Sequence, residues 1–147
     1  MKFESLCDSI RRQTSSKRVV VIVGRAGCGI DSVADYLFKD YLVENGGVVE
    51  RVHSHDSCFH ELLSVNNCDA VAIKGLIVNK NYTKIKSFMK QYLASNKVII
   101  SIQLPVHNKI KIEILDYLSK LFINFTLIKI DMLTEQYKYE ELEVVAN

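Results

Sequence analysis

At 147 residues, with 19 Lys and Arg against 17 Asp and Glu, 48% hydrophobic residues, one proline and no tryptophan, the chain has the size and composition of one soluble globular domain. Collagen-like, low-complexity and disordered classes are excluded, and a net charge of +2 excludes a uniformly basic nucleic-acid-binding surface. A folded domain of this length buries roughly 68% of the surface its unfolded chain exposes, enough for a core without a disulfide or metal staple.

Taken in chain order, residues 1–17 form an N-terminal segment with charges and serines where a signal peptide needs an apolar stretch, which predicts an intracellular (cytoplasmic) protein. Phe3, Leu6 and Ile10 recur at near-helical spacing and predict a short helix docked on the sheet or on a partner. Five strands are predicted at residues 18–23, 48–52, 70–74, 97–104 and 124–130, most of them continuous apolar runs of the kind a parallel sheet buries on both faces. All are far shorter than the roughly 20 residues that span a bilayer. After the first strand, Ile30, Val33, Ala34, Leu37, Phe38, Tyr41 and Leu42 mark a helix that stops at Asn45-Gly46-Gly47. A short helix is predicted over residues 57–63. Tyr82, Ile85, Phe88, Met89, Tyr92 and Leu93 mark another helix, and Ile110, Ile114, Leu118, Leu121 and Phe122 a last one, entered after Leu104-Pro105. Residues 131–147 read as an acidic C-terminal tail whose Tyr137, Tyr139, Leu142, Val144 and Val145 could cover a sheet edge or form an assembly contact. The alternation predicts a three-layer α/β domain with a five-stranded, mostly parallel sheet.

Charge is uneven. Eight lysines between Lys80 and Lys120 face only Glu113 and Asp116, and Lys80, Lys84, Lys86 and Lys90 are the candidates for a nucleic-acid contact. Cys7, Cys28, Cys58 and Cys68 lie far apart with no CxxC spacing, which in a reducing compartment predicts free thiols.

The stretch from Arg18 through Gly24-Arg-Ala-Gly-Cys-Gly29 to Ile30-Asp31-Ser32 is a buried strand, a glycine turn and an amphipathic helix, the setting of a phosphate-binding loop. Gly24 and Gly29 have the GxxxxG spacing, with Gly27 between them; glycines let backbone N–H groups wrap an anion at a helix N-terminus. Here the chain resembles P-loop kinases, in particular phage-type deoxynucleoside monophosphate kinases and the related phosphomevalonate kinases, whose loops are similar to G-K-x-x-S-G-K-D-T-V-A-x-x-L, where this chain reads GRAGCGIDSVADYL. Gly24, Gly29, Asp31, Val33, Ala34 and Leu37 match, Ser32 replaces threonine, and Asp56 falls on an aspartate of the family's following strand element. The resemblance covers about the first 65 residues and implies a nucleoside monophosphate kinase-like fold.

The departures bear on activity. The lysine that would reach the β- and γ-phosphates is Ile30, which supplies neither charge nor hydrogen bond. Arg25 is the one loop cation that could replace it. The strand ending in Lys74 lacks the acid that would hold Mg²⁺, and no arginine follows Arg51 to clamp a transferring phosphoryl group. Asp31 and Lys74 are therefore expected to form an internal ion pair where the metal would sit. His53, His55, Cys58 and His60 have no standard zinc spacing and read, with Asp56, as ligand-edge residues at the carboxyl end of the sheet. Gln103 ends a strand where P-loop ATPases place a polar sensor. The pattern predicts a degenerate, non-catalytic P-loop protein that binds a protein partner or itself, with no metal and with nucleotide, if any, held without Mg²⁺. The alternatives are a minimal nucleotide kinase or NTPase using Arg25, and a nucleic-acid-binding protein.

Overall fold

The computed structural model describes residues 1–41, 46–50, 70–76, 97–105, 112–122, 124–134 and 136–145. The chain begins with helix α1 (Phe3–Thr14), enters strand β1 (Val19–Arg25), and passes through the glycine turn into α2 (Ile30–Phe38), which tightens into a 3₁₀ turn at Lys39–Tyr41. Strands β2 (Gly46–Glu50), β3 (Ala70–Lys74) and β4 (Lys97–Leu104), helix α3 (Ile112–Leu121), and strands β5 (Asn124–Leu133) and β6 (Gln136–Val145) complete it.

The sheet order is β2-β3-β4-β1-β5-β6. The first five strands run parallel, with β1 between β4 and β5: Val21 lies opposite Ile100 on one side and Leu127 on the other. Because side chains alternate, β1 feeds two cores. Val20 and Ile22 pack with Leu6, Ile10, Val33 and Leu37 under α1 and α2, while Val19, Val21 and Val23 pack with Leu118, Phe122 and Phe125 under α3. Every one of these side chains is buried, which is why β1 reads as an uninterrupted β-branched run.

The strands expected at 70–74 and 97–104 form with those limits. The strand expected at 48–52 begins instead at Gly46, paired with Ala70, so Gly46 and Gly47 open a strand rather than only stopping a helix. The fifth strand runs on to Leu133, because residues 136–145 of the acidic tail fold back as β6, antiparallel along the whole of β5. Thr134 takes a left-handed φ of 47° in the turn between them. The sixth strand thus covers an edge, one of the two roles foreseen for the C-terminal segment. Tyr137 and Tyr139 pack on the α1 and α2 side and Val144 on the α3 side. The helices expected over residues 57–63 and around Tyr82 to Leu93 lie outside the described residues.

Helix α1 is held at both ends. Met1 meets β6, and at the other end Lys97, 5% exposed at the start of β4, donates from Nζ to the carbonyls of Thr14 and Lys17 at 2.6 Å each. A cation on the last carbonyls of a helix satisfies groups that have no intrahelical donor. Burial pushes the Lys97 ammonium down to about 8.

Candidate functional site

Strand β1 delivers Gly24 and Arg25 to the carboxyl edge of the sheet, and the turn to α2 is closed by the Cys28 N–H donating to the Arg25 carbonyl at 3.1 Å. Gly27 and Gly29 sit at φ 85° and 77°, a region open to glycine and costly for other residues. Gly29 has a second constraint, because a Cβ there would come within 3.0 Å of the Phe3 ring of α1. Gly29 is the N-cap of α2 and supplies no capping side chain, and its carbonyl accepts the Val33 N–H at 2.9 Å. The strand, glycine turn and helix that the sequence predicted are therefore present.

The loop's side chains are arranged otherwise. Ile30, where the sequence resemblance expects a lysine, is 8% exposed and belongs to the core under α1 and α2 with Val20, Ile22 and Ile130. It packs so closely on the strand that a Cβ on Gly24 would lie 2.9 Å from Ile30 Cγ2. Asp31 follows in the first turn of α2, where a carboxylate favours the positive end of the helix. Its Oδ1 accepts the hydroxyl of Ser101 at 2.6 Å, and Ser101 in turn accepts the Gly75 N–H at 2.9 Å. Ser101 is fully buried in β4, so its one proton and an acceptor site are both in use. Ser32 is exposed on α2.

The structure corrects the expected pairing of Asp31 with Lys74. That pair presumed that the strand ending in Lys74 neighbours β1, but β4 lies between β1 and β3. Lys74 Nζ instead meets Asp35, one helical turn beyond Asp31, at 3.0 and 3.3 Å. Each carboxylate of α2 thus reaches a different strand: Asp31 holds β4, and Asp35 holds the end of β3.

Beside the loop lies a cleft of about 320 Å³ lined by Arg25, Ala26, Cys28, Gln103, Leu104, Pro105 and Met132. Gly24 is paired with Gln103 across β4, which places the carboxamide of Gln103 at the same edge as the loop, and Gln103 is exposed. The Arg25 Nε is buried and has no hydrogen-bond partner among the described residues. Arg25 and Gln103 are two sequence candidates that the fold brings to one cleft, and Cys28 joins them as a buried free thiol. His53, His55, Asp56, Cys58, His60 and Lys80, Lys84, Lys86 and Lys90 lie outside the described residues. Ser101 and Phe3 were missed as site residues; the signal for Ser101 was a single hydroxyl in the otherwise apolar run from Val98 to Ile102 of β4.

No family model matches the chain, and no curated protein matches it. Solved structures do. The VirB11 ATPase of the Brucella suis type IV secretion system, in complex with sulphate, superposes with a TM-score of 0.56 at 10% identity over 95% of this chain and 53% of the other. The chain thus spans about half the length of that protein. Flagellar accessory protein FlaH from Methanocaldococcus jannaschii gives 0.48 at 11% identity, covering 88% and 79%, and Bacteroides Pif1 bound to ssDNA gives 0.48 at 14%, covering 88% and 42%. The fold is of the P-loop NTPase type. Among the described residues no helix is long and apolar enough to cross a membrane.

Proposed function

We propose that the chain is a non-catalytic P-loop protein that works by binding protein partners. The observation that carries this reading is the state of Ile30, which is packed into the core where a phosphate loop carries its lysine, while the neighbouring Asp31 carboxylate is engaged by Ser101. A triphosphate brought to this loop would meet an apolar side chain in place of an ammonium. Titration with ATP and ADP, with and without Mg²⁺, together with phosphate release, tests the reading. No Mg²⁺-dependent binding and no turnover are expected; Mg²⁺-dependent binding that disappears in Arg25→Ala would overturn it.

One observation favours a second reading. The buried Nε of Arg25, with no partner among the described residues, borders the cleft that also holds Gln103, and a guanidinium can pair with phosphate oxygens in a fixed geometry. A minimal nucleotide kinase or NTPase would use Arg25 in this way, and the same titration separates the two.

A further inference from the structure

We infer that the outer edge of β6 takes an extended, basic segment of another protein as a seventh strand. This names the partner surface of the protein-binding role proposed above and rests on that reading.

Strand β6 is the last of the sheet, and its edge already accepts main chain. Met1 and Tyr137 exchange both of their main-chain bonds: the Met1 ammonium donates to the Tyr137 carbonyl at 3.0 Å, and the Tyr137 N–H donates to the Met1 carbonyl at 3.0 Å. A reciprocal pair of this kind is the hydrogen-bonded step of an antiparallel ladder. It also shows that the polar groups of Tyr137 point away from β5. Since the register with β5 is unbroken from Gln136 to Val145, the groups of Tyr139, Glu141, Glu143 and Val145 point the same way. Beyond Tyr137 no described residue pairs with them. A row of outward N–H and C=O groups is what strand addition uses for affinity, with side chains at alternate positions giving specificity.

The side chains define the occupant. Leu142 and Val145 are 53% and 67% exposed, the acids Glu140, Glu141 and Glu143 stand beside them, and Lys138 is the one basic residue of the strand. A second copy fits this edge poorly. Antiparallel pairing of identical strands about a two-fold, engaging at least three of the four outward residues, sets Glu141 or Glu143 opposite another Glu141 or Glu143, and like charges opposite each other destabilise a ladder. A lysine- or arginine-bearing strand reverses the sign. The chain itself shows the contact in miniature, since Lys17 reaches Glu143 at 3.3 Å. The matching segment carries basic residues opposite Glu141 and Glu143 and an apolar residue opposite Leu142.

The test uses the full chain and a short acetylated, amidated peptide of alternating lysine and valine. Binding is read by titration and by amide shifts over Tyr139 to Val145. N-methylating the lysines whose N–H groups would face the edge, or replacing Glu141 with Lys, should weaken binding at least about tenfold, that is by about 1.4 kcal/mol. N-methylating the valines, whose N–H groups face away, should leave it unchanged. Equal binding of the two methylated peptides, or of a glutamate–valine counterpart, would overturn strand addition, as would no binding at millimolar peptide. A dimer that excludes the peptide would assign the edge to a second copy instead. Phosphate release measured in the same samples keeps the two proposals apart, because turnover with intact peptide binding breaks the non-catalytic reading alone.

Discussion

At the start of α2 the side-chain carboxylates are answered from within the chain, whereas along β6 main-chain polar groups beyond Tyr137 face outward with no partner among the described residues. Asp31 is met by Ser101, Ser101 by Gly75, and Asp35 by Lys74, while Ile30 fills the space against Gly24. On β6, Met1 satisfies Tyr137, and the outward groups from Tyr139 to Val145 continue past it beside exposed Leu142 and Val145. At the end of the sheet where α/β folds place a ligand, the carboxylates of α2 are thus engaged internally beside the cleft of Arg25 and Gln103, and an edge that many proteins protect is left unpaired beyond Tyr137 among the described residues.

The largest expected effect comes from reopening the loop. Ile30→Lys restores the charge of a phosphate loop but puts an ammonium where an apolar side chain packs under α1, and should cost about 3 kcal/mol in urea unfolding, with no ATP hydrolysis gained. Mg²⁺-dependent turnover at undiminished stability would mean that the loop is closed by one side chain alone. Ser101→Ala should cost about 2 kcal/mol by the same measurement, since it strips Asp31 of its donor and the Gly75 N–H of its acceptor.

The two regions also differed in how far residues alone revealed them. The loop was legible because glycines at Gly24, Gly27 and Gly29 follow an apolar run and precede a helical stripe, all within a short stretch of chain. The absence of lysine at Ile30 was equally plain. The partner of Asp31 was not, because which strand lies beside β1 is a long-range choice: β3 and β4 are both short apolar runs, and only the assembled sheet shows that β4, and with it Ser101, takes the place next to β1. The edge role of the C-terminal segment was foreseen, but a strand of ten residues was hidden by its acids. Burial alternates only weakly along β6, with Tyr137, Tyr139 and Val144 half-buried among exposed neighbours, so the pairing with β5 rather than a strong apolar period builds it.

A third effect reports the tether of α1, which packs over Gly29 through Phe3 and also meets β6. Burial holds Lys97 at about 8, below the ordinary lysine value of about 10.4. Between those values the unfolded chain binds more protons than the folded one, so stability should rise with pH from about 8 to 10. The gain should be about 2 kcal/mol relative to Lys97→Met, in which it should be absent. Equal pH profiles for the two proteins would show that the carbonyls of Thr14 and Lys17 stabilise the ammonium as fully as water does.

The smallest effect falls on the open edge. Burial pushes the Glu143 carboxyl up, but the Thr126 hydroxyl at 2.9 Å and the Lys17 ammonium at 3.3 Å outweigh it and hold the group below its ordinary value. A depressed carboxyl contributes stability above its unfolded value of about 4.3, and that contribution is lost as pH falls through the folded value. Because the pair is largely exposed, Glu143→Gln should cost no more than about 0.5 kcal/mol at neutral pH, and less in high salt. The variant therefore separates edge chemistry from fold stability. It removes one of the acids facing an incoming strand while leaving the ladder with β5 intact, so it should weaken the lysine peptide more than it weakens the protein; a larger loss in unfolding than in peptide binding would mean that the edge acids serve the hairpin rather than a partner.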